Sequence, residues 1–158
     1  MELLVPVSAG ELLDKITILQ IKAERIGDPA KRANVVVELA ALEDVAARAG
    51  LVAGGTGADR AGATAARAAG IGKGGAAGGG ARLGDLAATM ADLVAVNGEL
   101  WDIEDRIRDC ERTGDFGPDF VALARSVYRT NDRRAALKAL LNQLCGSQLV
   151  EEKSYAAY

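Results

Sequence analysis

Three groups of residues in this chain have the types and spacing that chemistry would need. Glu11 and Asp14, Glu99 and Asp102, and Asp102 and Asp105 each stand three residues apart. On a helix that spacing puts two carboxylates on one face, the arrangement a magnesium-dependent all-α hydrolase acting on nucleotides uses to hold its metal. Acids make up 22 of 158 residues, so chance alone supplies about three such pairs, and three are present. A second group, Lys15, Lys22, Arg25 and Arg134, could supply cationic contacts to a small acidic metabolite. The third is a polar layer. Asn97, Trp101 and Glu104 share one face of a long helix, and Tyr128, Asn131 and Arg134 lie at the matching level of the next. An arginine in an apolar seam is costly unless it is paired and hydrogen-bonded. Arg134 is therefore expected to be at least half buried and bonded to Asn97, Glu104 or an acid of the first helix such as Asp14. The layer reads either as a register-fixing device, like a buried asparagine in a coiled coil, or as a small pocket or partner-receiving surface.

Composition excludes several classes. The chain has no histidine, so it holds no Ser-His-Asp triad and no imidazole metal ligand. Two cysteines cannot make a four-cysteine zinc site. A formal net charge of −3 argues against a general nucleic-acid binder. No catalytic residue, metal or cofactor is assigned. The N-terminus lacks a basic stretch followed by an apolar core and a cleavage site, so it does not read as a secretory signal. The uncharged run 139–150 is too short to span a bilayer. These features predict a cytoplasmic protein without membrane insertion. Cys110 and Cys145 fall near opposite ends of a helical pair, about 30 Å apart at the helical rise, and are expected to be free thiols.

The elements that must position these groups are punctuated clearly. Ser8 with Glu11 forms a capping box, and helix 1 is expected over about 9–26 with Gly27 as its stop. Asp28-Pro29 opens helix 2, about 29–49, ended by Gly50. Helix 3 is expected over about 85–113, ended by Gly114. Its seam of Leu93, Val96, Leu100, Ile103, Ile107 and Cys110 is the strongest periodic signal in the chain. Gly117-Pro118-Asp119 starts helix 4, about 118–145, ended by Gly146. Between Leu51 and Gly84 lie 12 of the 19 glycines, among Ala, Thr and Arg. That stretch is read as a flexible low-complexity insertion, either a solvated linker or a weakly basic arm. The expected fold is all-α: one domain over 1–158, an antiparallel four-helix bundle of two hairpins, 9–49 and 85–145. The opening ELLVPV looks extended, because Pro6 disfavours helix at Val5. The tail 147–158 is either a loose terminus or a strand pairing with residues 2–7.

Folding the second hairpin about residues 115–116 sets a register. It pairs Asp102 with Arg129, Asp105 and Asp109 with Arg125, Glu99 with Arg133, and Arg134 with Asn97. Helix 1 carries Leu12, Leu13, Ile16, Ile18, Leu19, Ile21 and Ile26, more apolar girth than one neighbour can cover. It is either the central helix of the bundle or a face for a homodimer or another protein partner.

The segments VPVSAGELLDKITILQIKAERI, LWDIEDRIR, VYRTNDRRAALK and LVEEKSY resemble an uncharacterised family of short helical bacterial proteins, a domain of unknown function. The resemblance covers residues 4–48 and 86–158, and the stretch 51–84 departs from it as an insertion. It implies a small helical bacterial protein and a link to cell-surface polysaccharide biosynthesis. It supplies no catalytic residues. The function expected is a non-enzymatic interaction or assembly module, with the magnesium-dependent hydrolase and the acid-metabolite enzyme as alternatives.

Overall fold

A computed structural model describes residues 3–51 and 79–154, with side chains from residue 84 onward in the second stretch. Among the described residues there are four helices: α1 Ala9–Arg25, α2 Pro29–Arg48, α3 Gly79–Thr113 and α4 Pro118–Cys145. The fold is all-α, and no strand occurs among the described residues. Most of the stretch read as a flexible insertion, 52–78, lies outside them. The rest of that stretch differs from expectation, because α3 starts at Gly79, six residues before Asp85. Its first turns contain Gly79, Gly80 and Gly84, and glycine masks a helical start in a sequence because it carries no periodic side chain.

The caps explain the boundaries. Ser8 Oγ accepts from the backbone N–H of Glu11 at 3.3 Å. Asp28 Oδ1 accepts from the N–H groups of Ala30 and Lys31, ahead of Pro29 in the first turn of α2. Gly114 and Gly146 end α3 and α4 in the left-handed region, at φ of 68° and 66°, where a side chain would be strained. Gly27 plays no such part. The chain leaves α1 through Ile26 in an extended conformation instead.

α1 is the central helix. It packs on α2 along one side and on the α3–α4 hairpin along the other, whereas α2 rests chiefly on α1. Two apolar clusters flank it. Leu12 and Ile16 meet Ala46, with Leu39 and Leu42 of α2 at the edge. Leu13 meets Leu93 of α3 and Leu141 of α4. Leu51 touches both clusters and ties the end of α2 to the hairpin. The seam of α3 faces inward as expected: Leu93, Val96, Leu100 and Ile103 are buried, and Ile107 and Cys110 are half-buried past the end of α1. The girth of α1 is thus covered within one chain, and it gives no reason to invoke a second copy on that helix. Three neighbours surround α1, which is why its apolar residues are not confined to a single stripe.

Leu13, Leu93 and Leu141 are each fully buried and come from three different helices. Replacing Leu13 with alanine leaves a cavity where the three leucines meet. A loss of about 2–5 kcal/mol is expected, read as the shift in a chemical-denaturation midpoint at unchanged slope.

Candidate functional site

The polar layer is built on a row of α4. Thr130, Arg134, Lys138 and Asn142 stand four residues apart, so they form one ridge along the helix. That ridge lies against α1, which runs antiparallel to it, and each member meets a polar group of a neighbouring helix. Asn142 Oδ1 accepts from the N–H of Gly10 at 2.6 Å. Lys138 pairs with Glu11. Arg134 donates from Nε to Asp14 Oδ1 at 2.9 Å and from Nη2 to Oδ2. Thr130 donates to Glu99 Oε1 of α3, which Arg133 also grips through both oxygens.

Asp14 is the centre. Its side chain is 3% exposed, and a carboxylate so buried must be compensated. Besides the two bonds from Arg134 it receives one from Asn97 Nδ2 at 2.8 Å, and the same amide reaches Thr17 Oγ1 at 2.8 Å. Asn97 and Arg134 therefore meet through Asp14 rather than through each other. The guanidinium side chain is 27% exposed, so more than half of it is buried. Its hydrogen bond to Asp14 raises its pKa further above the ordinary arginine value, against the opposing effect of burial.

The other residues of the expected layer lie apart. Trp101 is half-buried beside the guanidinium of Arg25, 5.9 Å from the ring centre. Glu104 is exposed and bonds Arg108, one turn along its own helix. Tyr128 is exposed on the other side of α4, with Arg129 over its ring, and Asn131 is half-buried. The register predicted for the hairpin brings Glu99 to Arg133 and sets Asn97 and Arg134 at one level on Asp14, but the ion pairs expected for Asp102, Asp105 and Asp109 with α4 do not form. Asp102 bonds Arg25 of α1. Asp105 and Asp109 bond Arg108 and Arg112 of their own helix. A carboxylate three residues from an arginine on the same helix needs no second element to find it, and beyond α1 nothing brings the two helices' rims closer.

Sequence reasoning overlooked Gly10, Thr17, Lys138, Asn142 and Glu151. The four-residue spacing on α4 was the available signal. Gly10 has a steric reason to be glycine: a Cβ there would lie 2.5 Å from the carbonyl oxygen of Lys138, so only glycine lets α1 and α4 approach this closely. Around Lys138 the tail closes the site. Its side chain is 8% exposed and contacts Glu11 and, at 2.7 Å, Glu151. Burial lowers the pKa of Lys138, but the two carboxylates outweigh that and hold it above the ordinary lysine value. Lys138 in turn, with Glu11 and Lys153 adding to it, depresses Glu151 from 4.5 to about 2. Ser147 completes the closure by accepting from the N–H of Ala9 at 3.3 Å and donating to Leu149 O. A cleft of about 360 Å³ remains here, lined by Lys138, Asn142, Gln143, Val150 and Lys153.

The arrangement matches charge with charge. The carboxylates proposed for a metal are each held by cations: Glu11 by Lys138, Asp14 by Arg134, Glu99 by Arg133, Asp102 by Arg25 and Asp105 by Arg108. Among the described residues no cluster of three or more acidic or thiol side chains could hold a metal ion. The cations proposed for a metabolite diverge, since Lys15 bonds Glu38 of α2 while Arg25 and Arg134 are held by Asp102 and Asp14. Compared with protein-family models, with characterised proteins and with solved structures, the chain matches none.

Two outcomes follow from the layer. Asp14→Asn strands the half-buried guanidinium of Arg134, so a loss of about 2–4 kcal/mol is expected in denaturant melts. Asp14→Leu combined with Arg134→Met should recover much of it, because no buried charge is then left alone. The second concerns pH. Glu151 is depressed on folding, so its part in holding the tail is complete above 4.5 and is lost as pH falls toward about 2. NMR shifts of the 149–153 amides should titrate in that window, and Glu151→Gln should remove the titration.

Proposed function

We propose that this chain is a non-enzymatic protein-interaction or assembly module. One observation carries the reading. The chain matches its buried charges Asp14 and Lys138 internally, with Arg134 and Glu11, while large apolar side chains stand in water at its surface. Leu3, Leu4, Val5 and Val7 are 73%, 94%, 69% and 52% exposed in a segment that enters α1 beside the anchored tail. Val150 of the tail is 66% exposed at the same end, because Ser147 and Glu151 fix the tail next to the start of α1. Apolar residues gathered at a rigid end, rather than scattered singly, suit a surface that another protein covers.

A cytoplasmic setting belongs to the same reading. Neither Cys110 nor Cys145 is in a disulfide, which suits a reducing compartment. No helix among the described residues is long and apolar enough to cross a membrane. The link to cell-surface polysaccharide biosynthesis rests on the resemblance of the opening and closing segments. It would make the module a component that assembles with that machinery from the cytoplasmic side.

Affinity capture from the native host tests the reading, with the full chain as bait and Leu4→Asp with Val5→Asp as the control bait. A stoichiometric complex lost with the control supports it. The reading falls if the chain captures nothing, remains monomeric at high micromolar concentration, and either hydrolyses nucleoside triphosphates with magnesium or is stabilised by small acidic metabolites.

A further inference from the structure

α2 is the least covered helix of the fold. It buries only Ala46 fully, against α1, and turns a long face to water. On that face Val36 is 51% and Val37 71% exposed, and Val45 is 40% exposed. The row Pro29, Ala33, Val37, Ala41 and Val45, at four-residue steps, is apolar and exposed throughout.

The adjacent row carries a pattern. Asp28, Arg32, Val36, Ala40, Asp44 and Arg48 follow at the same four-residue steps, all exposed. Read backwards, every charge in that row meets its opposite and the two central residues are apolar. A ridge with this order is complementary to itself when reversed. With a two-fold axis level with Glu38, Arg32 faces Asp44 of the second copy and Val36 faces Ala40, while Asp28 and Arg48 lie about 200° apart around the helix and fall outside the contact, where Arg48 pairs with Asp44 of its own chain. Ridges at four-residue spacing pack into one another's grooves in the commonest class of helix contact. The apolar row beside the ridge walls that groove.

A separate observation points to the same occupant. The first turn of α2 holds Lys31 and Arg32 and no acid, so two cations sit at the positive end of the helix dipole. Neither makes an ion pair with a described residue. The last turns of α2 hold Asp44, exposed, near its negative end. An antiparallel copy brings each of these ends to the other.

We infer that α2 is the seat of an antiparallel homodimer, in which the exposed apolar row and the reversed charge order of one copy cover those of a second. This rests on the reading of the chain as an assembly module and names one of its partners. The face belongs to one helix of 20 residues. A face carried by one helix suits a reversible, concentration-dependent association rather than a permanent dimer.

Sedimentation velocity of the full chain under reducing conditions, from low to high micromolar, decides it. A monomer–dimer equilibrium is expected. Arg32→Glu and Asp44→Arg each place like charges opposite one another and should weaken it about tenfold or more. The double variant restores opposite charges and should restore association. Val37→Asp should abolish it. All three positions are exposed, so unchanged helical circular dichroism verifies that the variants fold. A wild-type chain that stays monomeric overturns the inference, as does a dimer indifferent to these changes or a charge-swapped variant that is not rescued. In the last two cases the assembly reading survives, and in the first it survives when host capture yields a different protein.

Discussion

A carboxylate buried in a bundle of leucines sets the terms for the rest of this fold. Asp14 sits on the central helix at a level where α3 and α4 both press against it, and it cannot reach water. An isolated charge in such a place would cost several kcal/mol, so the surrounding helices must bring it donors. Arg134 supplies a fork from α4 and Asn97 an amide from α3. Those bonds are possible at one rotation and one axial position of each helix. Leucine against leucine tolerates sliding by a turn, and this group does not. The layer therefore fixes the register of three helices at once, as a polar core residue does in a coiled coil.

The same contact organises the end of the molecule. Four residues below Arg134, Lys138 gathers Glu11 from the first turn of α1 and Glu151 from the tail. Four residues further, Asn142 satisfies an amide of that first turn, where helical N–H groups have no partner within the helix. The close approach at Gly10 makes these bonds short enough to form. What results is a rigid end from which the apolar opening segment and the tail emerge together. On the opposite side of α1, α2 receives no comparable support. It is held by one apolar strip, by Lys15–Glu38 and by a long hydrogen bond from Gln20 to Glu43, and its outer surface is left for something else to cover.

The helical hairpins were legible from punctuation and period. Capping residues at Ser8 and Asp28, prolines at 29 and 118 and glycines at 50, 114 and 146 act over a few residues, so their meaning does not depend on what packs nearby. The seam of α3 was legible for the same reason. The start of α3 was not, since glycine gives no period to read. The candidate layer was legible in part. Arg134 in an apolar seam announced a buried partner, and Asp14 was among those foreseen. Glu104 and Tyr128 belonged to the right level of the hairpin but to its outer side. A flat projection of two helices cannot show which side a third helix will occupy.

The sequence by itself determined the helices, their order, the α3 seam and the need for a partner to Arg134, because each follows from local geometry or from the cost of an unpaired charge. Only the tertiary structure decided that α1 is central, that Asp14 collects bonds from two other helices, and that Asp102 turns to Arg25 rather than to α4. These outcomes depend on where three helices meet. Several carboxylates lay within sequence reach of each cation, and the choice among them was made by which side chains the packing placed within about 3 Å of one another.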